Sequence, residues 1–205
     1  GAVSPLGCSA KATWQAMQQG QCGIGHITKF DTTDYKVTVA AEVKEFDPLS
    51  CMEKGEVRRT DLNCQYALAA AKEAMIDSGL AESGESVKAQ MKEGSIAPER
   101  LGVYIGSGIG GIHTTCAEME KLMKSGPKRI SPYMVTMMIS NMATGLVAIE
   151  YNAQGPSLPI VTACATSTHA VGEAFRAIHH GYADAIIAGG TEAAIVPLAV
   201  AGFTN

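Results

Sequence analysis

The chain has 205 residues, 46% hydrophobic and 5% aromatic, with a formal net charge of −4. That length supports one sizeable core or two small ones. The acidic balance argues against nucleic acid as a partner, and no apolar run reaches the ~18 residues a membrane-crossing helix needs. Apolar mass carried by Gly, Ala, Val, Ile and Met suits tightly packed α/β layers.

Helix and strand patterns then alternate along the chain. Residues 10–19 read as a helix, with Ser9 as its cap and Gly20 as its stop. Residues 37–43 (VTVAAEV) are strand-like. Residues 61–78 have helical spacing and stop at Gly79. Residues 82–100 are polar and read as a surface insertion. Residues 101–106 (LGVYIG) form a short apolar strand followed by a glycine turn. A long helix spans 112–124. Ser131-Pro132 opens a Met-rich segment that turns helical over 141–151. Residues 159–164 read as a buried strand, 166–180 as a helix ended by Gly181, and 185–188 (AIIA) as another buried strand. Short apolar strands between helices predict a parallel-rich sheet covered on both faces. The chain opens at Gly1 without Met and stops in the apolar stretch before Asn205, so both ends read as cuts.

Six cysteines occur, none in a CxxC pair. The chain is neither short nor visibly secreted, so a reducing, cytoplasmic setting is expected. No metal site is expected, because the five histidines lack ligand spacing. Cys164 stands apart from the other cysteines. It falls where a strand is expected to give way to a helix, which aims the thiol at the sheet's carboxyl edge. The free N–H groups of the helix start favour negative charge there. A thiolate is the competent nucleophile, and backbone N–H groups at such a turn can hold a developing oxyanion. Its neighbours Thr162, Ala163, Ala165, Thr166, Ser167 and Thr168 are all small and leave room for a substrate. The bland alternative, a small buried hydrophobe, is the expectation for the other five cysteines.

Gly106–Gly111 (GSGIGG) fits G-x-G-x-x-G between a strand and a helix, which makes an NAD(P)-binding oxidoreductase the formal rival. That rival expects an acidic residue about 20 positions on, yet residues 121–149 contain none.

Residues 161–172 (VTACATSTHAVG) resemble the nucleophile motif of the β-ketoacyl-[acyl carrier protein] synthases. The likeness extends over Gly25–Asp31 (GHITKFD), Arg58–Asp61 (RRTD), GSGIGG, Ile130–Tyr133 (ISPY), Gly155-Pro156, Ala188–Glu192 (AGGTE) and Ala201–Phe203. Within that family the elongating type II synthases of bacterial fatty acid synthesis are most similar. The resemblance implies a thiolase-like layered α/β fold (αβαβα), built from two similar halves and working as a homodimer. Residues 1–205 would be the N-terminal half, without its first strand and without the C-terminal half.

The implied chemistry is decarboxylative Claisen condensation. Cys164 takes an acyl chain from acyl carrier protein, and the carbanion from malonyl carrier protein then attacks it. Substrates ride on the carrier's phosphopantetheine, and no further cofactor is implied. The two assisting histidines and the second oxyanion loop of the family belong to the second half. None of His26, His113, His169, His179 or His180 matches their motifs. The fragment alone is therefore expected to be inactive. A non-catalytic, chain-length-determining ketosynthase partner is the other alternative, and Cys164 argues against it. By resemblance, Gly108 and Ile109 form the wall of an acyl tunnel, Phe203 gates it near Cys164, and Met134 closes its end from the partner subunit. Residues 159–164 would pair with their twin at the dimer interface.

Lys121, Lys124, Lys128 and Arg129 lie in the acid-free stretch 121–149, while all 20 acidic residues lie elsewhere. Acyl carrier protein is strongly acidic, and a local positive patch would steer it. The resemblance puts Arg58, Arg59, Lys128 and Arg129 near the tunnel mouth.

Overall fold

A computed structural model describes all residues, Gly1–Asn205. The first helix, α1 (Ala10–Gln18), is capped by Ser9, whose hydroxyl accepts from the Ala12 N–H. A small antiparallel pair follows, β1 (Ile24–His26) with β2 (Val39–Ala41). The strand expected over 37–43 is thus only three residues long, and its partner β1 carried no sequence signal. Next come the short helix α2 (Lys54–Val57) and the long α3 (Leu62–Asp77). Residues 82–100 are not simply a surface insertion. Part of them forms a hairpin, β3 (Ala81–Ser83) with β4 (Ala89–Met91), whose Ala81 and Ala89 are buried in the main core.

The centre of the molecule is β5 (Leu101–Gly106), buried at every position. It is followed by α4 (Ile112–Ser125), the short α5 (Met134–Met138), α6 (Met142–Glu150) and α7 (Thr166–His179). Then β6 (Ala185–Gly190) pairs in parallel with β5, Leu101 opposite Ala185 and Gly106 opposite Gly190, and α8 (Pro197–Thr204) ends the chain. No helix is long and apolar enough to cross a membrane.

Strand alternation sorts the core into two layers. Leu101, Val103 and Ile105 face α3 and α6, packing with Leu68, Ala71, Ala143 and Val147. Tyr104 faces the other way, onto Ala170, Ala174 and Ala177 of α7. Those alanines recur at helical spacing and let α7 lie close to the sheet. The expected parallel sheet with helices on both faces is present. The next face round α7 is a different matter: Val171, Phe175 and Ile178 form an exposed apolar stripe.

The strand expected over 159–164 is absent, and the edge chemistry of β5 explains why. Earlier residues do run beside β5: Gly155 N–H donates to Leu101 O, Val103 N–H to Pro156 O, and Leu158 N–H to Val103 O. The next rung would use Ile105. Its N–H is instead taken by the Thr144 hydroxyl of α6 at 3.2 Å, and the same hydroxyl donates to the Ile105 carbonyl. With that rung occupied, the chain leaves the sheet and crosses over Gly106. A Cβ on Gly106 would sit 1.8 Å from Ile160 O. Residues 158–165 are consequently not buried, with Leu158 and Val161 about half exposed.

Candidate active site

The crossing segment ends in a tight elbow. Thr162 is followed by Ala163 at φ 52°, a left-handed conformation rare for a residue with a side chain. Residues 163–165 form a single 3₁₀ turn that leads directly into α7. Cys164 therefore sits just before a helix N-terminus, as expected, but on an exposed elbow and not at the end of a buried strand. Such strained positions persist only where surrounding contacts hold them. Three contacts do so here. The Thr162 N–H donates to the Thr166 hydroxyl at 2.9 Å, Thr162 Oγ1 and His169 Nδ1 lie 2.8 Å apart, and the Ala165 N–H donates to Thr162 O. His169 is thus a fastener of the elbow. No turn or loop carbonyl takes the Cys164 N–H, which leaves that donor free for an oxyanion.

The other thiols differ. Cys51 and Cys64 are buried. Burial pushes the Cys64 thiol up to about 12, helped by the nearby Asp61 carboxylate. Burial also raises Cys8, Cys51 and Cys116 above their ordinary 9.0. None of these thiols lines the cavity beside Cys164.

Cys164 lines a cavity of about 410 Å³ at the carboxyl ends of β5 and β6. Its walls come from three sources: Gly106–Ile109 after β5, Ala163–Ser167 at the elbow and helix start, and Gly190–Glu192 with Ala194 and Phe203 after β6. Of the residues proposed for an acyl pocket, Gly108, Ile109 and Phe203 join Cys164 in this cavity. Met134 does not; it lies half-buried on α5, outside the cavity of its own chain.

The glycine loop has a feature that sequence reasoning passed over. The Glu192 carboxylate fills it. Glu192 Oε2 accepts from the N–H groups of Gly108 at 2.8 Å and Ile109 at 3.2 Å, and Oε1 accepts from the Ser107 hydroxyl at 3.1 Å. Gly110 N–H donates to Ser107 Oγ and Gly111 N–H to Met138 O. A dinucleotide pyrophosphate would need those same amides. The nest already holds the protein's own anion, and the oxidoreductase reading fails on that count. The signal was the acid directly after the Gly189-Gly190 strand end, where a charged residue at a sheet's carboxyl edge needs a partner.

The basic residues fall into two groups. Lys121 pairs with Glu118 and Lys124 with Glu120, both acids lying just outside the acid-free stretch. Glu118, held below its ordinary 4.5 by Lys121 and by the Ser131 N–H, is committed to that pairing. Arg58, Arg59, Lys128 and Arg129 are exposed and have no carboxylate partner within 4.0 Å. Arg59 lies over the Tyr133 ring, 5.3 Å from its centroid, which brings the 58–59 pair to the segment that follows Lys128 and Arg129. Arg58 and Arg59 are thus free cations near the 128–133 segment.

Comparison with known proteins fits this geometry. The model of the β-ketoacyl synthase N-terminal domain matches residues 1–205. The chain is 45% identical over 204 residues to a 3-oxoacyl-[acyl-carrier-protein] synthase 2 of Staphylococcus aureus, covering 100% of this chain and 48% of that protein. A 3-oxoacyl-[acyl-carrier-protein] synthase 2 from Synechocystis is 41% identical over 205 residues. The chain spans about half the length of these curated relatives. Among solved structures, the ishigamide ketosynthase/chain length factor superposes with a TM-score of 0.84 at 25% identity, over 100% of this chain and 48% of that one. With the thiolase-like layering of its sheet and helices and the elbow cysteine at its carboxyl edge, the chain belongs to the β-ketoacyl synthase family.

Proposed function

We propose that this chain provides the nucleophile-bearing half of a condensing enzyme of fatty acid elongation, a 3-oxoacyl-[acyl carrier protein] synthase. The observation that carries the proposal is the exposed Cys164 thiol at a left-handed elbow, opening into a cavity walled by small residues. In the first step the Cys164 sulfur attacks the acyl thioester carried on phosphopantetheine. A new S–C bond forms, and the carrier's thiol leaves with a proton. The free Cys164 N–H is placed to hold the oxyanion of that tetrahedral intermediate. In the second step malonyl thioester loses CO2, its carbanion attacks the acyl carbonyl, and Cys164 leaves as the β-ketoacyl product forms. Enolate stabilisation for that step is assigned to groups outside residues 1–205, because the only histidine fixed at this elbow, His169, is engaged with Thr162.

The partner is acyl carrier protein, met by the basic residues Arg58, Arg59, Lys128 and Arg129. One solved relative with a similar fold is a type II polyketide ketosynthase in complex with its acyl-carrier protein, TM-score 0.79 at 22% identity. Homodimerisation fits the exposed apolar residues Leu158 and Val161 on the segment that forms the outer edge beside β5. The apolar stripe of α7 fits the packing of a second, similar half. Six free thiols fit a reducing, cytoplasmic setting. Phosphopantetheine remains the substrate's carrier, and the reaction as written needs no other cofactor.

The test uses the polypeptide as encoded, with residues 1–205 and whatever its gene joins to them. Incubation with acyl carrier-protein thioester, followed by peptide mass mapping, is expected to find the acyl group on Cys164. Cys164→Ala should abolish β-ketoacyl product. Acylation at another cysteine, with the Cys164→Ala variant still active, overturns the proposal.

A further inference from the structure

Glu192 is the one charged side chain on the cavity wall, and it makes no ion pair. Its carboxylate instead accepts three hydrogen bonds from the loop that follows β5. Glu192 itself belongs to the segment that follows β6 and leads to α8 and Phe203. The bond set therefore ties two of the cavity's three walls across the carboxyl ends of the two strands. The tie also fixes the distance to the third wall. A Cβ on Gly108 would meet Glu192 Oε2 at 3.0 Å and the Ala163 Cα at 3.5 Å, so the loop lies against both the carboxylate and the elbow. Ile109, next in the loop and about 40% exposed, is the largest side chain on that wall.

We propose that Glu192 is a positioning residue that sets the width of the acyl cavity, and so the acyl chain length that Cys164 accepts. The inference rests on the functional reading above. The mechanism is mechanical. Of the four successive N–H groups Gly108 to Gly111, two have no partner except Glu192. Without the carboxylate those two amides seek water, and the Ser107 hydroxyl loses its acceptor while still receiving the Gly110 N–H. The loop then moves relative to the elbow. Gly108 and Ile109 move with it, and the space beside the thiol changes. Short acyl groups, which do not reach the Ile109 wall, feel little of this. Long ones do.

Glutamine supplies a test of geometry against charge. Glu192→Gln keeps an oxygen for the Gly108 and Ile109 amides, and its amide group can donate to the Ser107 oxygen. Glu192→Ala removes every acceptor. Glu192→Asp keeps the charge and withdraws it by one methylene. The readout is kcat/KM for a series of acyl thioesters of increasing length with the polypeptide as encoded. A parallel readout is the rate of Cys164 alkylation by short and long N-alkyl haloacetamides. For Glu192→Ala the ratio of long-chain to short-chain kcat/KM is expected to shift about tenfold or more, the discrimination a methylene or two commands in an apolar pocket. The alkylation ratio should shift in the same direction. Glu192→Gln should restore the wild-type profile. If Glu192→Ala does not fold, Glu192→Asp provides the same comparison, with a displaced profile expected. An unchanged length profile in the alanine or aspartate variant overturns the inference, and so does an equal loss at every chain length. Failure of the functional reading looks different: wild-type protein would then form no Cys164 adduct and no β-ketoacyl product at all.

Discussion

At the scale of single residues, the site depends as much on missing atoms as on present ones. Gly106 ends β5 under the crossing of residues 158–162. A Cβ there would lie 1.8 Å from Ile160 O and 2.2 Å from Thr166 Cγ2, distances that backbone and helix start must yield to. Thr166 is itself the acceptor that pins Thr162, so the displacement passes straight into the Cys164 elbow. Gly106→Ala is expected to lower the rate of Cys164 acylation on the order of 10²-fold, the scale of an ångström-sized misplacement of reacting groups. Gly145 is the internal control. It lies inside α6 with open space around its Cα, so Gly145→Ala should stabilise by about 0.4–1 kcal/mol through reduced chain entropy. Thermal melts and adduct mass spectrometry on both variants check the pair. Wild-type labelling kinetics in Gly106→Ala would mean the elbow does not need the glycine.

Among the elements, one side chain joins the starts of two helices. Asp61 is only 2% exposed and serves two helix starts. Oδ1 accepts from the Asn63 N–H at the start of α3. Oδ2 accepts from the Thr114 N–H and hydroxyl, both at 2.7 Å, in the first turn of α4, whose own cap position is the side-chain-less Gly111. Asp61→Ala leaves the buried Thr114 N–H and hydroxyl without a partner and uncaps both helices. A loss of about 2–4 kcal/mol is expected on those grounds, read as a lower denaturant midpoint with an unchanged slope. Asp61→Asn should recover part of it. A midpoint within error of wild type for Asp61→Ala would refute the double cap. The helix over 61–78 was legible from its spacing and the Gly79 stop, but the cap at Asp61 was not singled out. Nor was the reach to α4, which is a contact across 53 positions. The same boundary divides the rest of the fold. Helices α1, α3 and α7 were legible with the glycines that end them, and α4 as a long helix over 112–124. The position of Cys164 before a helix start was legible from the run of small residues around it. Residues 159–164 were misread, since a short apolar run looks the same whether or not its rung on the sheet is free, and here Thr144 had taken that rung. Glu192 stood in a recognised motif, yet its role needs the spatial meeting of residues 84 positions apart.

At the scale of the whole molecule, the proposed partner raises a question of charge, since it and this chain are both acidic. The net charge of −4 predicts weak long-range repulsion, so attraction has to be local. Composition alone points to all four basic residues of 121–149. The ion pairs with Glu118 and Glu120 remove Lys121 and Lys124 from that count. What remains is Lys128 and Arg129, with Arg59 over the Tyr133 ring a few residues on and Arg58 beside it in sequence. These exposed side chains contribute little to folding. The role proposed for them is in encounter, where clustered charge of one sign raises association rates by about 10–10³. Reversing Lys128 and Arg129 to Glu in the polypeptide as encoded is expected to reduce kcat/KM for carrier-protein substrates by about that range, mainly through KM. The loss with short thioesters that lack the carrier should be far smaller. Raising ionic strength should narrow the gap between variant and wild type, because the screening length falls to about 10 Å at 0.1 M salt. Reversing Lys121 and Lys124 instead should matter less, since their charge is already offset by neighbours on the same helix. Equal losses with both substrate types, insensitive to salt, would locate the damage at the cavity and remove these residues from the docking surface.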